Sequence, residues 1–210
     1  MNLLDSPFGY AVCSNMMRGI AQSLFSLKVI GREKLIDDGP CVVVANHQSF
    51  LDPPMIGCLF YNPIYYLARK QLFNNPLFGA LIRSCNAFPV NQEEADPGSL
   101  LKLMRLVRGG NRVLLFPEGG RTRTGDFQEP MNGIGLILSK LATVPVQPIR
   151  IHGAYEAWPI HGRLRFRPVT ISVGDPIPFT PAELRVRGRA AQHALAQKVM
   201  AAIRALPVTD

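Results

Sequence analysis

Apolar residues near the start of the chain return at a four-residue step, at Phe8, Val12, Met16, Ile20 and Leu24, behind a Ser6-Pro7 pair suited to opening a helix. The pattern predicts an amphipathic helix over residues 6–27, which either packs on the domain or rests its apolar face in a lipid interface. Farther along the period changes. Short continuous apolar runs at 41–45, 64–67, 87–90, 113–116 and 146–151, each bounded by turn residues, predict buried strands. Helical patterning fills the gaps over 53–60, 72–84, 98–108 and 133–141. Strands that alternate with helices imply an α/β fold, with a mixed, largely parallel sheet flanked by helices and the N-terminal amphipathic helix added to it. Alternation from Leu164 to Val173 predicts one more strand, Asp175-Pro176-Ile177-Pro178 a link, and residues 181–205 a closing helix.

With 210 residues the chain suits one catalytic domain, here 28–210, preceded by the helical segment 1–27. A formal charge of +8 draws it toward anionic partners without choosing among lipid head groups, nucleic acid and phosphorylated substrates. Cys13, Cys41, Cys58 and Cys85 have no zinc-ligand spacing, and the pattern fits free thiols in a reducing compartment. The N-terminus lacks the charge order of a signal peptide, and no run of about 18 uncharged apolar residues offers a spanning helix. The expectation is a peripheral protein on the cytoplasmic face of a membrane, with Arg18 and Lys28 meeting phosphate head groups.

Two segments carry chemistry. In Asn46-His47-Gln48-Ser49-Phe50-Leu51-Asp52-Pro53-Pro54, His47 and Asp52 are five residues apart, about 140° around a continuous helix, and cannot meet on one. They meet if His47 lies in the turn and Asp52 opens the helix, a placement that Pro53 favours. The carboxylate then holds one imidazole nitrogen and leaves the other to take a proton from a hydroxyl. The plainer alternative is that Asp52 caps the helix and His47 is an ordinary loop residue. The second segment, Phe116-Pro117-Glu118-Gly119-Gly120-Arg121-Thr122-Arg123, also follows an apolar strand. Its glycines admit a ligand to the backbone, and Arg121 and Arg123 offer phosphate-matching forks. In an open parallel sheet both segments open on the same edge.

These blocks, in this order, resemble those of the glycerolipid acyltransferases typified by lysophosphatidate acyltransferase, over residues 29–178. The resemblance implies that His47 is the general base and Asp52 its partner. It also implies that Lys70, within Tyr66-Leu67-Ala68-Arg69-Lys70-Gln71-Leu72-Phe73, lies near the reacting thioester, and that Glu118, Gly119, Gly120, Arg121 and Arg123 bind the acceptor. Val144-Pro145-Val146-Gln147-Pro148 resembles a block assigned to the donor or to shaping the site. The implied reaction moves an acyl group from acyl-CoA or acyl-carrier protein to a lysophospholipid hydroxyl, with no metal or other cofactor. Gly120 stands where the family usually has threonine or serine. Gln92, in Phe88-Pro89-Val90-Asn91-Gln92, stands where an arginine would grip the acceptor phosphate.

Gln92 leaves room for another acceptor, such as a lyso-aminolipid, an amine or water, or else for Arg83, Arg121 or Arg123 to take the place of the missing arginine. The alternation of Arg163, Arg165, Arg167, Arg185, Arg187 and Arg189 leaves a basic nucleic-acid or membrane binding module as the reading from another class. No nucleic-acid recognition motif accompanies those arginines, and none is expected to bind nucleic acid.

Overall fold

In the computed structural model the described residues are 7–90, 97–141, 143–185 and 187–209. Seven strands form one sheet: β1 (Lys28–Ile30), β2 (Cys41–Ala45), β3 (Ile64–Arg69), β4 (Ala87–Val90), β5 (Arg112–Leu115), β6 (Val146–His152) and β7 (Thr170–Val173). Their order is β1-β7-β6-β2-β5-β3-β4, and every described pairing is parallel except β6 with β7. The sheet is thus mixed and largely parallel.

Pleating explains the two cores. Cys41, Val43 and Ala45 of β2 face one side and Val42 and Val44 the other, and all five are buried, as the continuous apolar run requires of a central strand. The first face is covered by α1 (Pro7–Phe25), α2 (Asp52–Gly57), α3 (Pro76–Ser84) and α6 (Ala154–Ala157). The second is covered by α4 (Pro97–Arg108), α5 (Asn132–Lys140), α7 (Pro181–Arg185) and α8 (Arg189–Arg204). The helix pair α5 and α8 crosses tightly because Gly135 has no side chain: a Cβ there would lie 2.0 Å from the carbonyl oxygen of Gln192.

Several boundaries shift by one to three residues from the sequence reading, and four differences each have a local reason. The first helix ends at Phe25 rather than Leu27, because Ser26 turns left-handed at φ 43° and the Leu27 N–H bonds back to the Ala21 carbonyl. The segment 72–84 starts as a 3-10 turn, Lys70–Phe73, before Asn75 caps α3 through the Phe78 N–H. Alternation from Leu164 becomes strand only at Thr170, since β6 ends opposite it at His152 and Pro168 has no N–H to give. The closing helix is two helices, and Gly188 at φ 101° precedes the second. Strand β1 and helix α6 are too short to have left a periodic trace.

The first helix uses both of its faces. Tyr10, Met17, Ala21 and Phe25 belong to the first core, the Tyr10 hydroxyl donates to the Gly57 carbonyl, and Arg18 forks onto the carbonyl of Cys58 at the end of α2. Arg18, expected among lipid head groups, is therefore held at the C-terminal dipole of α2 and stacked over Tyr61. Met16, 55% exposed, and Val12, Ile20 and Leu24, also exposed, form the outward stripe. Among the described residues no helix is long and apolar enough to cross a membrane.

The α5–α8 crossing gives a direct test of the second core. Gly135→Ala forces the helices apart, and overpacking of this kind costs about 2 kcal/mol, so Tm should fall by roughly 4–8 °C. A thermal melt that matched wild type would show that the crossing has slack.

Candidate active site

The site begins with two strands that are direct neighbours. Val44 of β2 pairs with Leu115 of β5, so the loops that follow, 46–51 and 116–131, leave the carboxyl edge of the sheet side by side. Asn46 fixes the first exit by exchanging two hydrogen bonds with Ile151 of β6, at 2.9 and 2.8 Å.

Asp52 opens α2 and is completely buried. Asp52 does not cap the helix: Leu51 holds the cap position, Pro53 and Pro54 have no N–H to give, and the next one, on Met55, goes to the Leu51 carbonyl. The side chain turns back into the loop instead. Its Oδ2 accepts from the backbone N–H groups of Gln48 and Ser49, and lies 2.7 Å from His47 Nδ1. Three donors on one buried oxygen offset the cost of taking the anion out of water. With Nδ1–H donated to Asp52, the lone pair of His47 falls on Nε2. The His47 ring stacks on Phe116, centroids 3.9 Å apart, and keeps 17% of its side chain exposed, enough for a substrate to reach it.

The neighbouring loop grips the backbone of His47 from both sides. The His47 N–H donates to Glu118 Oε1 and its carbonyl accepts from Thr122 N–H at 2.9 Å. Glu118 is buried, and Gln128 Nε2 bridges its other oxygen to the Gly120 carbonyl. Burial first, then the nearby Asp52 charge, push Glu118 up to about 7, while hydrogen bonds from Gln128 and the His47 backbone pull the other way. Gly119 is left-handed at φ 70°, and a Cβ on it would strike Met131 Sδ at 2.0 Å. Gly120, by contrast, has room for the side chain that the family usually carries: the nearest neighbour to a Cβ there is Arg69 Nη2, at 3.9 Å.

Arg121 sits 3.3 Å above the Phe50 ring centroid, and its buried Nη1 has no hydrogen-bond partner among the described residues. Burial, then the positive charge of Arg69, lower its pKa, with Asp52 opposing. So the structure brings His47, Asp52, Glu118, Gly119, Gly120 and Arg121 together and adds Arg69, which sequence reasoning passed over for its neighbour. Lys70 is exposed at the head of the 3-10 turn, and Arg123 is exposed with its carbonyl taken by the Tyr155 hydroxyl. Arg83 is stacked over Phe73. Gln92 lies outside the described residues. Gln128 gave no signal in the sequence, being one amide in an irregular loop.

A family model described as acyltransferase matches residues 26–152. This chain belongs to the acyltransferase family. The acyltransferase is 28% identical over 171 residues to the 1-acyl-sn-glycerol-3-phosphate acyltransferase of Bacillus subtilis, covering 80% of this chain and 82% of that one. It is 26% identical to the enzyme of the same name from Streptococcus pneumoniae over 65% of its own length, and spans about half of that relative, 49%. Its fold matches the crystal structure of the 1-acyl-sn-glycerophosphate acyltransferase of Thermotoga maritima, with a TM-score of 0.74, 24% identity, and coverage of 94% of this chain and 78% of that one.

Glu118 makes the acyltransferase's stability depend on pH. Between the ordinary value of 4.5 and about 7 the unfolded chain has lost this proton while the folded protein keeps it, so stability falls as pH rises through that window. Glu118→Gln carries a constant cost for its lost Gln128 bond but no titration. Denaturant melts at pH 4.5 and pH 8 should show the wild-type difference shrinking by on the order of 3 kcal/mol in the variant. An unchanged difference would assign the slope to other groups.

Proposed function

We propose that the protein acylates the free hydroxyl of 1-acyl-glycerol-3-phosphate, giving phosphatidate, with acyl-CoA or acyl-carrier protein as donor, while resting peripherally on the cytoplasmic face of a membrane. The observation that carries the reading is the His47–Asp52 pair at 2.7 Å, opening beside the guanidinium groups of Arg121 and Arg69. The activities named for the relatives support the acceptor. The outward stripe of α1 supports the membrane contact.

In the proposed mechanism Nε2 of His47 takes the proton of the acceptor hydroxyl as its oxygen attacks the thioester carbonyl. The tetrahedral intermediate then collapses, the C–S bond breaks, and the departing thiolate takes the proton from the imidazolium. Asp52 keeps the tautomer and steadies the imidazolium between these steps. The oxyanion is met by a backbone N–H of the surrounding loops or by Lys70. The phosphate lies against the part-exposed guanidinium of Arg121 and that of Arg69, whose charge makes up for the neutral amide of Gln92. Glu118, turned inward to the His47 backbone, braces the loop and does not meet the substrate.

His47→Ala should keep the wild-type melting profile and lose about 10² to 10⁴-fold in turnover, and Asp52→Asn should lower kcat more than donor affinity. Near-normal turnover by a folded His47→Ala protein would remove the histidine from the mechanism.

Arg69→Ala and Arg121→Ala should each raise the acceptor KM about tenfold or more, with the donor KM little changed, since a charge-assisted hydrogen bond contributes roughly 1.5 to 3 kcal/mol. The effect should vanish with an acceptor that lacks the phosphate. Equal penalties for both acceptors would place the two arginines outside the phosphate site.

A further inference from the structure

The segment between α6 and β7 is used by none of the chemistry above. Residues 161–168 are exposed without interruption, yet the run contains Leu164, 46% exposed, and Phe166, 63% exposed, alternating with Arg163, Arg165 and Arg167. None of these three guanidinium groups has a hydrogen bond, ion pair or ring contact among the described residues. A soluble surface has no use for this arrangement. It combines two large, largely exposed apolar side chains with three exposed cations on an extended strip.

Its position gives it meaning. Thr170 of β7 pairs with His152 of β6 and with Lys28 of β1, which places the preceding residues at the carboxyl edge of the sheet, where the His47 loop also emerges. The segment is tied on both sides. The Phe166 ring meets Phe25 at the end of α1 edge-on, centroids 5.8 Å apart, and the Val169 N–H bonds to the Phe25 carbonyl. The Arg165 N–H donates to the Ala157 carbonyl at 2.7 Å, one residue before Trp158, which leans on Phe50, the ring beneath Arg121. The strip therefore runs from the foot of the outward stripe of α1 to the wall of the active site.

We propose that residues 163–167 are a second membrane-docking element, which with the outward stripe of α1 seats the enzyme on an anionic phospholipid bilayer with the active-site edge toward the head groups. The proposal deepens the peripheral membrane contact put forward above and rests on it. Charge selects the occupant. There is no acidic residue in 6–32, 70–84 or 157–174, the stretches that hold α1, the 3-10 turn with α3, and this strip, whereas they hold Lys28, Lys70, Arg83, Arg163, Arg165 and Arg167, besides Arg18 and Arg32, which turn to the end of α2. Exposed Leu77 and Leu81 of α3, which packs beside α1, extend the apolar area. Arginine heads pair with lipid phosphates while Leu164 and Phe166 enter the boundary below them. Nucleic acid would satisfy the arginines but leave the aliphatic stripe of α1 facing water, so a bilayer accounts for more of the surface.

The test uses the full chain and vesicles of phosphatidylcholine, either alone or with roughly a third phosphatidylglycerol. The triple variant Arg163→Gln, Arg165→Gln, Arg167→Gln should partition onto the anionic vesicles about a hundredfold more weakly, at about fivefold per arginine, and show a shallower salt dependence. Partition onto neutral vesicles, the melting profile and transfer to a detergent-dispersed acceptor should stay at wild-type values. Phe166→Trp should add an emission that brominated lipid quenches in anionic vesicles, above the background of Trp158, the only native tryptophan. Wild-type partition by the triple variant, or a Trp at 166 that bilayers leave unquenched, overturns the proposal. So does a triple variant that loses duplex DNA in a gel shift but keeps its vesicles, since that assigns the strip to nucleic acid. If wild type fails to acylate the dispersed lysolipid while the vesicle effects hold, the docking element stands and the catalytic reading falls.

Discussion

One buried carboxylate organises the site. Asp52 has no contact with water, and an anion in that position persists only if donors are brought to it. Pro53 and Pro54 have no N–H and that of Met55 is taken by the Leu51 carbonyl, so the donors come from residues 47–49, and the loop coils around a single oxygen. The orientation of the His47 ring, the path of the chain from β2 into α2 and the burial of Ser49 follow from that demand. Removing the carboxylate would strand three polar hydrogens at once, so the geometry of the histidine cannot be separated from the folding of the turn.

The loop after β5 serves this turn from the other side. Glu118 and Thr122 clamp the His47 backbone, and Gln128 and the left-handed Gly119 hold the clamp in shape. Charge is layered as a result: the carboxylates of Asp52 and Glu118 lie inside, and the guanidinium groups of Arg69 and Arg121 lie toward the opening. The inner layer keeps its shape through hydrogen bonds. The outer layer reaches the surface through Arg69, which is exposed.

The sequence carried the sheet clearly, because central parallel strands are buried on both faces and appear as unbroken apolar runs; residues 41–45 and 87–90 match their strands end to end. It also carried the meeting of His47 with Asp52, since proline chemistry is local. Contacts made across long gaps left no trace. Gln128 is recognisable only once Glu118 is seen to be buried, and the choice between Arg69 and Lys70 depends on which way β3 points at its last residue. The first helix shows a subtler limit. Its four-residue repeat was real but marked the outward face, while the packed face, with Tyr10, Met17, Ala21 and Phe25, is interrupted by Ser14 and Arg18 and is harder to read.

Strand β1 is hydrogen-bonded along the sheet only to β7, so residues 28–30 must wait for residues 170–172. A chain made from its N-terminus therefore completes the turn around Asp52, the clamp of Glu118 and strands β2 to β6 well before its first strand can be placed, and closing so long a loop is slow. During synthesis α1 is joined to the body through its contacts with α2, the turn that follows it and α3, and through its packing on the first core. The edge nearest the proposed lipid contact is thus the last part of the sheet whose partners are made.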